Sequence, residues 1–362
     1  MEPPVPEAPL APVPSASSAS PSPTYTDRST GLVVFGIIEI IGGGLAALMV
    51  PFMLLGAFLA RKSAVEMPRS SLVMGMLTYG LLAAVLVTLG IGSTMAKRWA
   101  RALNLILSWI WLIAGILVTV ALTAFMPSTF LVGMRAAAEQ NPNAGDVPTG
   151  VMAVILTFII VFMAIFLIFL PLAFLLFYRS SNVEETCKHR DAVERWTDRR
   201  PLPLIAVALL AACSAVYYVL LGVSTPLFPF FGRYLTGLQG TIAFLLFAIV
   251  DAYIAISFFR LKVVGWWVAV IALTLRMISA AITIRHADLA EAYSRMGWSQ
   301  MQVEAMRSNP MFRGGAFLWW SFAFMVIYMG FLLWLKRYFR PAAPPGYTGF
   351  DPAASSDPQL GS

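Results

Sequence analysis

Apolar residues in this chain come in long blocks separated by short polar breaks, and the blocks recur eight times. They cover approximately residues 31–59, 71–95, 102–125, 151–177, 203–224, 238–259, 263–284 and 315–335. A helix needs about 20 apolar residues to cross a hydrocarbon core of roughly 30 Å, and each block reaches that length. The pattern predicts an all-α integral membrane fold of eight transmembrane helices, with the lipid bilayer as its principal partner. Composition agrees: 59% of the 362 residues are hydrophobic and 12% are charged, against roughly 25% charged in ordinary soluble domains. The first block is longer than a span requires, about 43 Å at 1.5 Å per residue. Pro51 predicts a bend there, leaving 51–59 near the outer interface.

The blocks also predict a duplication. The turn AKRWARAL (96–103) and the turn LKVVGWWVAV (261–270) both lie between the second and third span of a half. Trp99 then matches Trp266 at an offset of 167, and Pro142 matches Pro310 at an offset of 168. The reading is two tandem four-helix modules, 31–180 and 201–340, parallel because each contains an even number of spans. They are joined by 181–200 and flanked by Pro/Ala/Ser-rich tails, 1–30 and 341–362, whose composition predicts disorder. In the joint, Ser181 with Glu184 reads as a capping box. Glu184–Lys188 and Asp191–Arg195 read as helix-supporting pairs. Segments 128–142 and 288–310 carry helical spacing of apolar residues and predict short amphipathic helices over the outer leaflet, the latter with a second capping box at Ser299 and Gln302.

Charge changes the picture by setting an orientation. Placing both termini in the cytoplasm puts 15 Lys/Arg in cytoplasmic segments and 9 in external loops, the expected bias. The net charge of +7 then suits anionic headgroups rather than nucleic acid, since no basic stripe is interleaved with aromatics. The N-terminus lacks the basic and short apolar regions of a cleavable signal, and the Ala/Leu/Val/Gly-rich blocks suggest a bacterial inner membrane. Cys187 and Cys213 fall in a loop and mid-span, so no disulfide is expected.

Candidate chemistry is sparse. Three ionisable residues fall within spans: Glu39, Asp251 and Arg276. A charge in the bilayer centre costs on the order of 3 kcal/mol and marks either a partnered structural group or a pathway. Counted from the cytoplasmic helix ends, their depths are about 12, 13 and 20 Å, and the long Arg276 side chain can reach back. The three are therefore expected to form one cluster, with Asp251 neutralising Arg276. A match in the first half is missing, where the aligned positions are Ala84 and Trp109. Cys187, His189, Glu184 and Glu185 are metal-ligand types but make a weak set. With no histidine inside a span, bis-histidine haem has no ligands. Gly42, Gly43 and Gly44 predict close helix packing, Pro171 a kink, and Trp266, Trp267, Trp319 and Trp320 an interfacial aromatic belt. No phosphate loop, zincin motif or nucleophile elbow occurs. The expected function is a non-enzymatic structural, assembly or partner-binding membrane component, meeting a membrane-protein partner or a second copy of itself. The alternative is a small-solute or ion transporter whose polar centre is Glu39, Asp251 and Arg276, between the two modules.

Overall fold

The computed structural model describes residues 25–60, 69–140, 149–224, 226–286, 288–295, 300, 303–304, 307 and 316–339. They form α1 (Ser29–Ala60), α2 (Arg69–Thr94), α3 (Arg98–Gln140) and α4 (Thr149–Ala164), then a π-helical turn (Ile165–Phe169) that leads into α5 (Leu170–Arg179). The linker helix is α6 (Ser181–Arg190), followed by α7 (Leu202–Ser224), a hairpin of β1 (Phe228–Phe230) and β2 (Arg233–Leu235), and α8 (Gly237–Phe259). Next come α9 (Val263–His286), α10 (Leu289–Arg295) and α11 (Ala316–Leu335), which ends in a 3₁₀ turn (Lys336–Phe339). Among the described residues, eight helical segments are long and apolar enough to cross a membrane, the fourth being α4 and α5 together. That is the signature of a multi-pass membrane protein.

Small residues set how closely the first two helices approach. A side chain at Gly36 would meet the Gly90 carbonyl at 2.7 Å, and one at Gly90 would meet the Gly36 carbonyl at 2.6 Å. Seven residues along each helix, Gly43 faces Ala83 and Val87. This is a small-residue crossing of antiparallel helices. Of the glycine triplet only Gly43 serves it, since Gly42 has ordinary clearance and Gly44 has nothing within 4 Å. The helix runs uninterrupted through Pro51. Residues 51–59 therefore continue α1 rather than forming a separate segment. Likewise α3 continues through Gln140 as a single 43-residue helix, where a separate short helix over 128–142 was expected.

Pro171 acts through the residue four positions before it. Lacking an N–H, it leaves the Leu167 carbonyl without its helical donor. The helix absorbs this as a π turn in which the Leu170 N–H bonds to the Ile165 carbonyl. The freed Leu167 carbonyl then lies against the backbone of α3 at Gly115, where a β-carbon would sit 1.8 Å from the oxygen. The predicted kink is thus a π bulge, and Gly115 is the residue that accommodates it.

The turns between the second and third spans of each half are built alike. After α2, the Ala96 N–H bonds to Ser93 O and the Lys97 N–H to Gly92 O; after α8, Leu261 bonds to Phe258 O and Lys262 to Ser257 O. Ala96 (φ 51°) and Leu261 (φ 56°) both sit in the left-handed region, the usual helix-ending position of a glycine. A close contact follows each turn, Gly92 against Ala100 in one and Gly265 against Ser257 in the other. These turn contacts match at an offset of 165, which sets Trp99 against Val264, whereas the tryptophans match at 167. Pro142, Pro310, the Ser299–Gln302 box and nearly all of both tails lie outside the described residues.

Buried residues concentrate at the end of the bundle that carries α6. One core joins Leu204, Val207 and Ala211 of α7 with Phe258, Trp266, Leu273 and Leu332; another joins Leu32, Phe174 and Tyr178 with Val183 and Cys187 of α6. The linker is helical only to Arg190, and its N-cap is Ser180 with no side-chain capping bond, so Ser181 lies inside the helix and the expected box does not form. Ion pairs tie it to the turn after α2: Arg101 to Glu184 at 2.8 Å, Lys97 to Asp191 at 3.9 Å and Arg98 to Asp198 at 3.8 Å. Arg101 also caps the Tyr178 carbonyl at 3.2 Å. The residues before α1 dock here too, with Tyr25 stacked on His189 and Asp27 paired with Arg190 at 3.3 Å. Arg200 reaches the other turn, donating to the Phe259 carbonyl at 2.8 Å. One polar platform therefore gathers the N-terminal segment, the linker and both turns.

Hydrogen bonding from Lys188 holds the Glu184 carboxyl below its ordinary range. Burial pushes the Cys187 thiol up to about 11. Thiolate is the reactive form, so a water-soluble maleimide at neutral pH is expected to modify Cys187 in native membranes only slowly. Mass spectrometry before and after denaturation checks this; rapid native labelling would mean that α6 is not seated on the bundle.

Candidate functional site

Asp251 sits in the middle of α8 and is 1% exposed. Helical periodicity turns it inward with Gly240, Phe244, Ala248, Ile254 and Phe258, the buried side of that helix. One carboxylate oxygen takes a short charge-assisted bond from Arg276 of α9, and the other accepts from Ser214 of α7 at 2.6 Å. The guanidinium lies 4.8 Å from the Phe247 ring and 5.2 Å from the Tyr218 ring, so aromatic faces share its charge. Three consecutive spans thus meet at one neutralised point. The guanidinium Nε is buried without a hydrogen-bond partner.

Glu39 does not join them. It is buried at 4% exposure on α1, where its Oε1 is 3.4 Å from the Tyr178 hydroxyl of α5. That hydroxyl is 2.5 Å from Ser93 Oγ of α2, and Ser93 donates to the Leu32 carbonyl at 3.1 Å. Asn104 of α3 lies against both Glu39 and Tyr178 with no bond of hydrogen-bonding geometry of its own. The expected trio is therefore two clusters, one in each half. Depth along a helix placed all three residues near one level, but Phe35, stacked on Phe177 at 4.2 Å, fixes α1 against α5 and turns Glu39 towards α2, α3 and α5.

Two further contacts escaped the sequence reading. Trp266 donates its indole N–H to the Leu332 carbonyl at 2.6 Å, locking α9 to α11. The β1–β2 hairpin turns through Phe231 (φ 39°) and Gly232 (φ 92°), and its tip is held by Ser279 and Thr283 of α9 at 3.0 and 3.1 Å. The Phe-Gly pair between the aromatic-containing triplets Phe228–Phe230 and Arg233–Leu235 was the available signal. Among the described residues, no group of three or more His, Cys, Asp or Glu side chains could hold a metal ion. Comparison with known proteins finds no matching protein-family model, no similar curated protein and no similar solved structure.

Proposed function

We propose that this chain is a non-enzymatic integral membrane protein, a structural, assembly or partner-binding component in which the Asp251–Arg276 pair pins three helices together. The observation that carries this reading is that both Asp251 oxygens are engaged, one by Arg276 and one by Ser214, with aromatic rings against the guanidinium. A permeant ion or substrate would need one of those groups. The alternative transporter with a common centre loses support because Glu39 sits apart, hydrogen-bonded to Tyr178. The test is flux: proteoliposomes loaded with pH- and potential-sensitive dyes should behave like protein-free vesicles. A flux that disappears in a variant lacking both Asp251 and Arg276 would overturn the proposal in favour of transport.

The two turns with matching hydrogen bonds support a tandem duplication of four-helix modules, 31–180 and 201–340. We place the polar platform and both termini on the cytoplasmic side of a bacterial inner membrane, on the Lys/Arg distribution. Reporter fusions at Ala138 and Ala305 should read as external; a cytoplasmic signal at either would invert the assignment.

A further inference from the structure

Glu39 is a buried carboxyl with no ion-pair partner among the described residues, and the pinning role of Asp251 makes no use of it. Its surroundings can be counted in hydrogens. Three links run from the carboxyl to the backbone: Glu39 to the Tyr178 hydroxyl, Tyr178 to Ser93 Oγ, and Ser93 to the Leu32 carbonyl. Each link needs one hydrogen, and the carbonyl at the far end supplies none. The two hydroxyls supply one each. The third can come only from Glu39. With the carboxyl protonated, Glu39 donates to Tyr178, Tyr178 to Ser93, and Ser93 to Leu32, and every link is filled. With the carboxyl ionised, one link is left as two opposed lone pairs inside a wall of Leu32, Ala96, Phe174 and Phe35. That arrangement is costly where water is excluded.

We propose that Glu39 is a proton-binding site, carrying its proton in the folded protein, with that proton setting the direction of the hydroxyl chain that joins α1, α2 and α5. The groups facing it are polar and neutral: Ser93 from α2, Asn104 from α3 and Tyr178 from α5. Arg101, the cation bonded to the Tyr178 backbone, is already engaged by Glu184. Asn104 supplies the second state. Its amide is 1% exposed and unpaired, as is Glu39 Oε2, so it stands ready to donate to the carboxylate once the proton leaves. On proton release the Tyr178 hydroxyl turns to donate to the carboxylate, Asn104 of α3 can add a second donor, and the Tyr178–Ser93 link to α2 is left without a hydrogen, which couples protonation to how the first span packs.

Infrared spectroscopy of the reconstituted protein at neutral pH tests this directly. A protonated-carboxyl C=O stretching band should be present, should shift in heavy water and should vanish in Glu39→Gln. Tyr178→Phe should keep the band but raise its frequency, because the acid loses its acceptor. Glu39→Gln, which retains a donor towards Tyr178, should show a melting temperature that lacks the wild type's decline as pH rises above the ordinary carboxylate range. The sign follows from the folded state binding a proton that the unfolded state releases, so wild-type stability falls as pH rises. No band lost in Glu39→Gln, or a band unmoved by Tyr178→Phe, would overturn the proposal. If Glu39→Gln does not fold, Tyr178→Phe decides alone.

Discussion

Asp251→Asn is expected to lower the yield and thermal stability of the folded protein sharply, by about 3–5 kcal/mol, the usual consequence of stranding one partner of a buried ion pair. Asparagine keeps the size of the side chain and can still accept from Ser214, so the loss reports the charge. Arg276 is then left in the bilayer interior with only the Phe247 and Tyr218 faces for company. Arg276→Gln alone should cost a similar amount by stranding Asp251, which is more deeply buried than its partner. The double variant, Asp251→Asn with Arg276→Gln, should recover most of the loss, because a neutral amide pair can still hydrogen-bond and both desolvation costs disappear. Thermal unfolding in detergent, followed by size-exclusion yield, measures all four members of the cycle. Equal stability of the single variants and the wild type would mean that the pair does not hold α8 to α9.

The second large effect is expected at Gly115. A β-carbon there would lie 1.8 Å from the Leu167 carbonyl oxygen and 2.7 Å from its carbon. Both are backbone atoms held by the π turn, so nothing can swing aside. Gly115→Ala should cost at least the upper part of the ~1–3 kcal/mol range for overpacking, and Gly115→Leu should prevent α3 from packing against the π turn. Gly44→Ala is the control: with nothing within 4 Å it should be neutral, or slightly stabilising since glycine weakens a helix interior by about 0.5–1 kcal/mol. If both alanine variants behave alike, the close contact between the Leu167 carbonyl and α3 is not formed.

How much of this was readable from the chain depends on what each feature needs. The eight apolar helices follow from block length alone. The contact between Asp251 and Arg276 follows nearly as directly, because a tight hairpin and a rise of 1.5 Å per residue put their side chains within reach. Glu39 failed the same arithmetic. Depth says how far a residue lies along its helix but not which way it faces, and the facing of α1 depends on its seam with α2 at Gly36 and Gly90 and on Phe35 against Phe177. Those are pair properties that neither helix carries alone. The π turn was half-legible: Pro171 announced a disruption, but only the partner helix explains why a glycine stands at 115. Trp266 lies two residues further into its helix than Trp99, so the tryptophans and the hydrogen-bonded turns match at different offsets. The linker's charges were plain, but their partners on α3 and before α1 were not, since charge pairing across such sequence distances leaves no local pattern.

The central claim is that Asp251 is enclosed and serves the fold. Single cysteines at Ala248 and Ala272, one turn from Asp251 and Arg276 and both buried, test it in a background with Cys187 and Cys213 replaced by serine. A membrane-impermeant thiol reagent added from either side should leave both unmodified in the native protein and label them once it is denatured. Native labelling of either position from one side would mean that water reaches the pair, contradicting the structural role and establishing a path into the membrane.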